Sequence, residues 1–77
     1  MKKEYVEVYV LYTIEGRCIP RHLIFRGQRY EIDKILDVRP GVSIKVGGVG
    51  MRYTIVIDGT TTFLYEEDGK WFVEAKN

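Results

Sequence analysis

Cys18 and His22 stand four residues apart, the one spacing in this chain at which a thiolate and an imidazole could act as nucleophile and base. On a helix that spacing would bring both to one face. Pro20 lies between them and the residues that follow have an extended pattern, so no helix and no working dyad are expected. With one histidine and one cysteine in 77 residues, and with Ser43 away from the histidine by register, the chain lacks matched catalytic groups and is not read as an enzyme. Gly47-Gly48-Val49-Gly50 has the glycines of a phosphate loop but neither the following Lys-Ser/Thr nor a strand-to-helix setting. Glu66, Glu67 and Asp68 are adjacent in a strand-like segment, where neighbours point to opposite faces and make no oxygen cage. A lone cysteine allows no internal disulfide and no zinc knuckle. No cofactor and no metal are expected.

Binding chemistry is better represented. Arg26 and Arg29 bracket Gly27-Gln28 in a chain whose formal net charge is +1, so any electrostatic recognition must be local. Arg17, Arg21, Arg26 and Arg29 make the Gly16 to Tyr30 stretch basic, whereas Asp58, Glu66, Glu67, Asp68 and Glu74 make a later stretch acidic. The simpler reading of Arg26 and Arg29 is a solvated hairpin tip; a phosphate or an acidic peptide is the other.

The elements that carry these residues are strands. β-Branched and aromatic residues dominate, glycine pairs punctuate, and no stretch keeps a helical period over three turns. Strands are expected over 5–14, 22–26, 29–38, 42–46, 49–57, 60–67 and 70–75, with a bulge near Asp33-Lys34. At this length one domain, 1–77, buries roughly 60% of its unfolded surface, which makes self-association a plausible supplement to the core. The alternating start, MKKEYVEVYV, reads as a strand and neither as a leader nor as a membrane span, implying a cytoplasmic protein with a reduced thiol.

Four two-residue hairpin loops are expected: Gly27-Gln28, Gly47-Gly48, Asp58-Gly59 and Asp68-Gly69. Counting outward from each one assigns faces. The later turns place Val42, Ile44, Val46, Val49, Met51, Tyr53, Ile55, Ile57, Leu64, Trp71, Val73 and Ala75 on one side, which is taken as the core. Gly27-Gln28 pairs Phe25 with Tyr30, Leu23 with Ile32, Arg26 with Arg29, and sets His22 opposite Asp33. Closure with Val6, Val8, Val10, Tyr12 and Ile14 predicts an all-β fold, a small antiparallel meander closed into an SH3-like barrel or bent roll; a two-sheet sandwich is the alternative.

The opposite face then gathers Ser43, Lys45, Arg52, Thr54, Val56, Thr61, Phe63, Tyr65, Phe72 and Glu74, with Ser43, Arg52, Tyr65 and Phe72 in one row. A guanidinium beside rings suits stacking and cation–π contact with bases or with a partner's side chains. The expected function is therefore a non-enzymatic binding module acting through Arg52, Phe63, Tyr65 and Phe72, with nucleic acid or protein as partner and Arg26 and Arg29 as a second basic point. The alternative is a self-associating structural domain whose aromatic face is a homodimer interface; the doubly apolar first strand is the other layer that could cover that face.

The run Pro20-Arg-His-Leu23-Ile-Phe25-Arg26-Gly27-Gln-Arg-Tyr30-Glu-Ile32, followed by Ile35-Leu36, resembles an uncharacterised family of short bacterial β domains. That family reads Pro-x-x-Phe-x-Trp-Arg-Gly-x-x-Tyr-x-Val and then Val-Leu; Leu23 and Phe25 here replace its Phe and Trp. Tyr53-Thr54-Ile55 and Leu64-Tyr65 to Trp71 resemble its second half. No activity is established for the family, and some members accompany DNA-repair polymerase-like proteins, so the resemblance implies a lean toward nucleic-acid metabolism.

Overall fold

The computed structural model describes residues 2–43 and 47–76, and the side chains of all of these but 42, 43 and 47–49. Seven strands form, β1 (Lys2–Tyr12), β2 (Cys18–Phe25), β3 (Gln28–Glu31), β4 (Lys34–Ser43), β5 (Gly47–Ile57), β6 (Thr60–Glu67) and β7 (Lys70–Ala75), with no helix among the described residues. They lie in the order β3-β2-β1-β7-β6-β5-β4, every pairing antiparallel. This is a curled half-barrel, the bent roll that the alternation pattern predicts.

Two bends produce the curl. The first half of β1 pairs with β7, from Lys2↔Ala75 to Val6↔Trp71, and its second half pairs with β2, from Glu7↔Ile24 to Tyr12↔Cys18. One strand thus joins the two halves of the seven-stranded sheet. At the other corner β3 and β4 run in the same direction, separated only by Ile32 and Asp33, so the expected strand 29–38 exists as two halves that pair with different neighbours. The bulge expected near Asp33-Lys34 is this corner. It is held by the Asp33 amide, which donates to the Val56 carbonyl at 2.8 Å, and by the Asp33 carboxylate, which accepts from the Asp58 amide at 3.1 Å.

Leu23, Tyr53, Ile55, Leu64 and Trp71 form the inner core, with Val6, Val8, Val10, Phe25, Tyr30, Ile32, Ile35, Met51, Ile57 and Val73 packed around them. Burying each large aliphatic or aromatic side chain here contributes about 1.5–3 kcal/mol. The Asp58-Gly59 and Asp68-Gly69 turns stand where expected, their aspartates at φ 50° and 53° and their glycines at 75° and 78°, the left-handed pair that a type I′ turn requires.

Three expected features are corrected. The β2–β3 turn is Arg26-Gly27, not Gly27-Gln28, because the glycine takes the second left-handed position at φ 80° with Arg26 first at φ 51°. Leu23 therefore faces Tyr30, Ile24 faces Arg29, and His22 faces Glu31 where Asp33 was expected. The shift is even, so Leu23, Phe25 and Tyr30 still point inward. The β4–β5 register also moves by an even step: Tyr53 lies opposite Val38 where Val42 was expected, Met51 opposite Pro40 where Ile44 was, and Gly47 belongs to β5, opposite Ser43. The Gly47-Gly48 turn is absent for a physical reason. Glycines carry no side chain to hold a register, and Gly50 must stay bare because a Cβ there would lie 2.3 Å from the Glu66 carbonyl oxygen. The expected places of Ile44, Lys45 and Val46 lie outside the described residues. Finally, Tyr12 and Ile14 were expected to help close the barrel, but Tyr12 at the end of β1 is largely exposed and Ile14 sits fully exposed beyond it.

Both prolines sit inside strands that tolerate them. Pro40 lies in β4, which ends the sheet, and Pro20 lies in β2 where a register shift leaves Arg21 unmatched, with the Arg21 carbonyl accepting from the Ile32 amide at 3.0 Å.

Candidate functional site

The residues expected to form an outer row do form one, with one substitution of place. Cross-strand partners run Tyr5↔Phe72, Phe72↔Tyr65, Tyr65↔Arg52 and Arg52↔Arg39 across β1, β7, β6, β5 and β4. Arg39 occupies the position that counting from Gly47-Gly48 gave to Ser43. Phe63 lies one step along the same face, opposite Thr54.

These rings touch one another. Tyr65 and Phe72 are stacked, centroids 5.0 Å apart at 10°; Tyr5 meets Phe72 edge-on at 6.0 Å; Phe63 is tilted against Tyr65 at 6.4 Å. Each such pair adds about 0.5–1.5 kcal/mol beyond its buried area. Two cations lie over the rings: the Arg52 guanidinium carbon is 4.7 Å from the Phe63 centroid, and the Lys3 ammonium is 4.5 Å from Phe72. Lys3 also reaches Glu67 at 3.5 Å, and the Tyr65 hydroxyl donates to Glu74 at 2.9 Å. Burial is the first cause that pushes the Tyr65 phenol above its ordinary pKa, and the Glu74 carboxylate adds to it.

The row is therefore packed within one chain and is not bare. Tyr65 and Phe72 are only 5% and 3% exposed, whereas the flanking rings Tyr5 and Phe63 are 56% and 43% exposed. Neither buried ring belongs to the inner core. Arg52 Nε, buried and without a hydrogen-bond partner, lies on this face. What a partner can reach is the pair of flanking rings and the Arg52–Phe63 stack.

Arg26 and Arg29 do not act together. The Arg26 guanidinium makes a bidentate pair with Glu4 of β1, Nη2 to Oε1 at 3.0 Å and Nε to Oε2 at 3.2 Å, and covers the Phe25 ring at 4.8 Å. That hydrogen-bonded pairing holds the Glu4 carboxyl below its usual pKa. Arg29 instead bonds Glu31 two residues on, at 2.6 Å. Both charges are matched inside the molecule, and Arg26 fastens the β2–β3 hairpin to β1. The expected Arg26–Arg29 cross-strand pair does not exist.

Cys18 and His22 end on opposite faces of β2. Cys18 packs inward against the core opposite Tyr12, while His22 stacks outward on Tyr9 at 4.4 Å. The Tyr9 hydroxyl in turn bonds Glu7. Among the described residues no three His, Cys, Asp or Glu side chains converge as a metal site, and no helix is long and apolar enough to cross a membrane.

Sequence reasoning missed the contributions of Lys3, Tyr5, Arg39 and Glu4. All four depend on pairings that a local turn does not encode, except that a five-strand row could have been extended by counting from β7 to a doubly apolar β1. No family model, no curated protein and no solved structure matches the chain.

Proposed function

We propose that this protein is a non-enzymatic binding module whose contact surface is the outer face bounded by Tyr5, Phe63 and Arg52, and that its partner is a protein segment. One observation carries the reading: a ring cluster lies outside the core, with its centre packed and its ends open, and with a guanidinium stacked on the open ring at Phe63. A preordered aromatic platform loses little conformational entropy when a partner lands on it.

Charge favours protein over nucleic acid. Glu67 and Glu74 sit among the rings beside Lys3, and Asp37 pairs with Arg39 at 2.6 Å, so the face offers phosphates no excess of cations. An extended peptide with apolar side chains and an acid to meet Arg52 fits it better. Displayed peptide libraries selected on the intact protein, then rescreened on Phe63→Ala and Arg52→Ala, test this. Recovered peptides that lose binding to both variants support the module. Recovery of none, or of peptides indifferent to both changes, removes it. A salt-sensitive titration with single-stranded oligonucleotide that Arg52→Ala abolishes would instead favour nucleic acid.

A homodimer through the same face is the second reading, carried by the exposure of Tyr5 and Phe63. Charge at Phe63 is the better probe of it, since Phe72 is buried in the single chain. A solution mass that falls by half in Phe63→Glu establishes the dimer.

A further inference from the structure

The inner side of the roll is incompletely filled, and the reason is in β6. This strand pairs with β7 only over Tyr65, Glu66 and Glu67, while the later residues of β7 pair with β1 through Glu4↔Val73, Lys3↔Glu74 and Lys2↔Ala75. Ahead of Leu64 the inward positions of β6 hold Thr60 and Thr62, opposite Ile57 and Ile55, where the pattern of the neighbouring strands would place aliphatics. A slot opens between the start of β6 and the end of β7. It is the mouth of an open cleft, a cavity of about 320 Å³ on the concave side of the roll, walled by Phe25 and Tyr30 of the β2–β3 hairpin, Ile55 and Ile57 of β5, and Val73 of β7.

We infer that this cavity is a binding site for a small uncharged apolar molecule, one ring or a short alkyl chain, with a hydrogen-bonding group directed at Thr60 and Thr62. Three observations argue for it. Its volume falls at the lower end of the roughly 300–1,000 Å³ usual for small-molecule clefts. Thr60 and Thr62 are exposed at its mouth, so their hydroxyls stand beside apolar walls, the arrangement that orients a ligand while the walls supply the burial. The roof is fastened, since Arg26 at the tip of the β2–β3 hairpin is bonded twice to Glu4 of β1 and covers Phe25. The site is separate from the outer ring face, because inward and outward side chains alternate along β6 and β7.

The test uses the intact protein and N-phenyl-1-naphthylamine, an uncharged probe whose emission rises in apolar surroundings, with 1-octanol as competitor. Saturable uptake at one probe per chain is expected, displaced by 1-octanol, with amide shifts confined to Thr60, Thr62, Phe25, Tyr30 and Val73. Thr62→Phe fills the space and abolishes uptake without lowering the melting temperature. If that variant does not fold, Thr62→Leu serves, and Ile57→Ala enlarges the cavity and strengthens uptake of a larger naphthyl probe. Arg26→Ala releases the roof and quickens exchange of the probe. Absence of saturable uptake, uptake unchanged by filling the cavity, or shifts centred on Phe63 and Tyr5 would overturn the assignment. So would a mass that doubles with concentration and reverts in Thr62→Phe, which would mean that a second copy occupies the slot.

Discussion

On the inner face of the sheet Tyr53 tilts against Trp71 at 5.2 Å, enclosed by Ile55 and Leu64; on the outer face Tyr65 lies flat on Phe72 at 5.0 Å, flanked by Tyr5, Phe63 and Lys3. Both ring pairs are nearly shielded from water, yet by different means. The inner pair is shielded by other strands folded across it. The outer pair is shielded by its own sheet neighbours, including the stems and charged ends of Lys3 and Arg52. Low exposure in one chain therefore does not tell core from contact surface. What tells them apart is whether the covering groups are held from several directions or from one.

The largest expected difference is between truncations. Leu64→Ala should lower stability by about 3 kcal/mol, and Phe63→Ala by less than about 1 kcal/mol, because only the first leaves a void that surrounding strands cannot close. Equal losses in urea denaturation would break the distinction between the faces. Gly50→Ala comes next, with a cost of about 2 kcal/mol, since a Cβ 2.3 Å from the Glu66 carbonyl oxygen forces apart β5 and β6, which carry both faces. A neutral outcome would mean the two backbones are not so close.

Alkali gives a smaller and more discriminating test. Burial raises the pKa of Tyr53 on the inner face and of Tyr65 on the outer, with Glu74 adding to the latter. A group whose folded pKa is raised contributes stability that is fully present below its unfolded value, near 10, and is lost as pH rises through the folded one. Tyr65→Phe should remove the outer share of this alkaline loss, leaving the inner share, and melting curves between about pH 9 and pH 12 measure both. If Tyr65→Phe changes nothing above pH 10, the outer phenol is not confined as described. The smallest effect is at the exposed Arg26–Glu4 pair. Glu4 has a lowered folded pKa, so its contribution is present above the ordinary carboxylate value and is lost as pH falls through the folded one. Melting temperatures compared at about pH 5 and about pH 3 should converge between wild type and Glu4→Gln at the acid end.

How much of this was readable from residues alone divides along chemical lines. The Asp58-Gly59 and Asp68-Gly69 turns were, because Asp-Gly suits left-handed backbone at both central positions, and with them came the inner set around Leu64 and Trp71. Arg26-Gly27 was misplaced by one because an arginine at positive φ has no such preference; this one is held by a carboxylate 22 positions away. The β4–β5 register failed where glycines replaced side chains. The outer row was found, but its packing was not, since Lys3 and Tyr5 reach it only through the β1–β7 pairing.

That last pairing also dictates an order in time. The ladder from Lys2↔Ala75 to Val6↔Trp71 joins segments more than sixty residues apart, while the β5–β6 and β6–β7 hairpins need only neighbours. On a ribosome the initial strand must wait, half unmatched, for the final one to emerge, because long loops are closed late and slowly. Pairing of β1 with β7 is therefore the rate-limiting event expected for this fold, and anything that delays it leaves an unpaired edge open to neighbouring nascent chains.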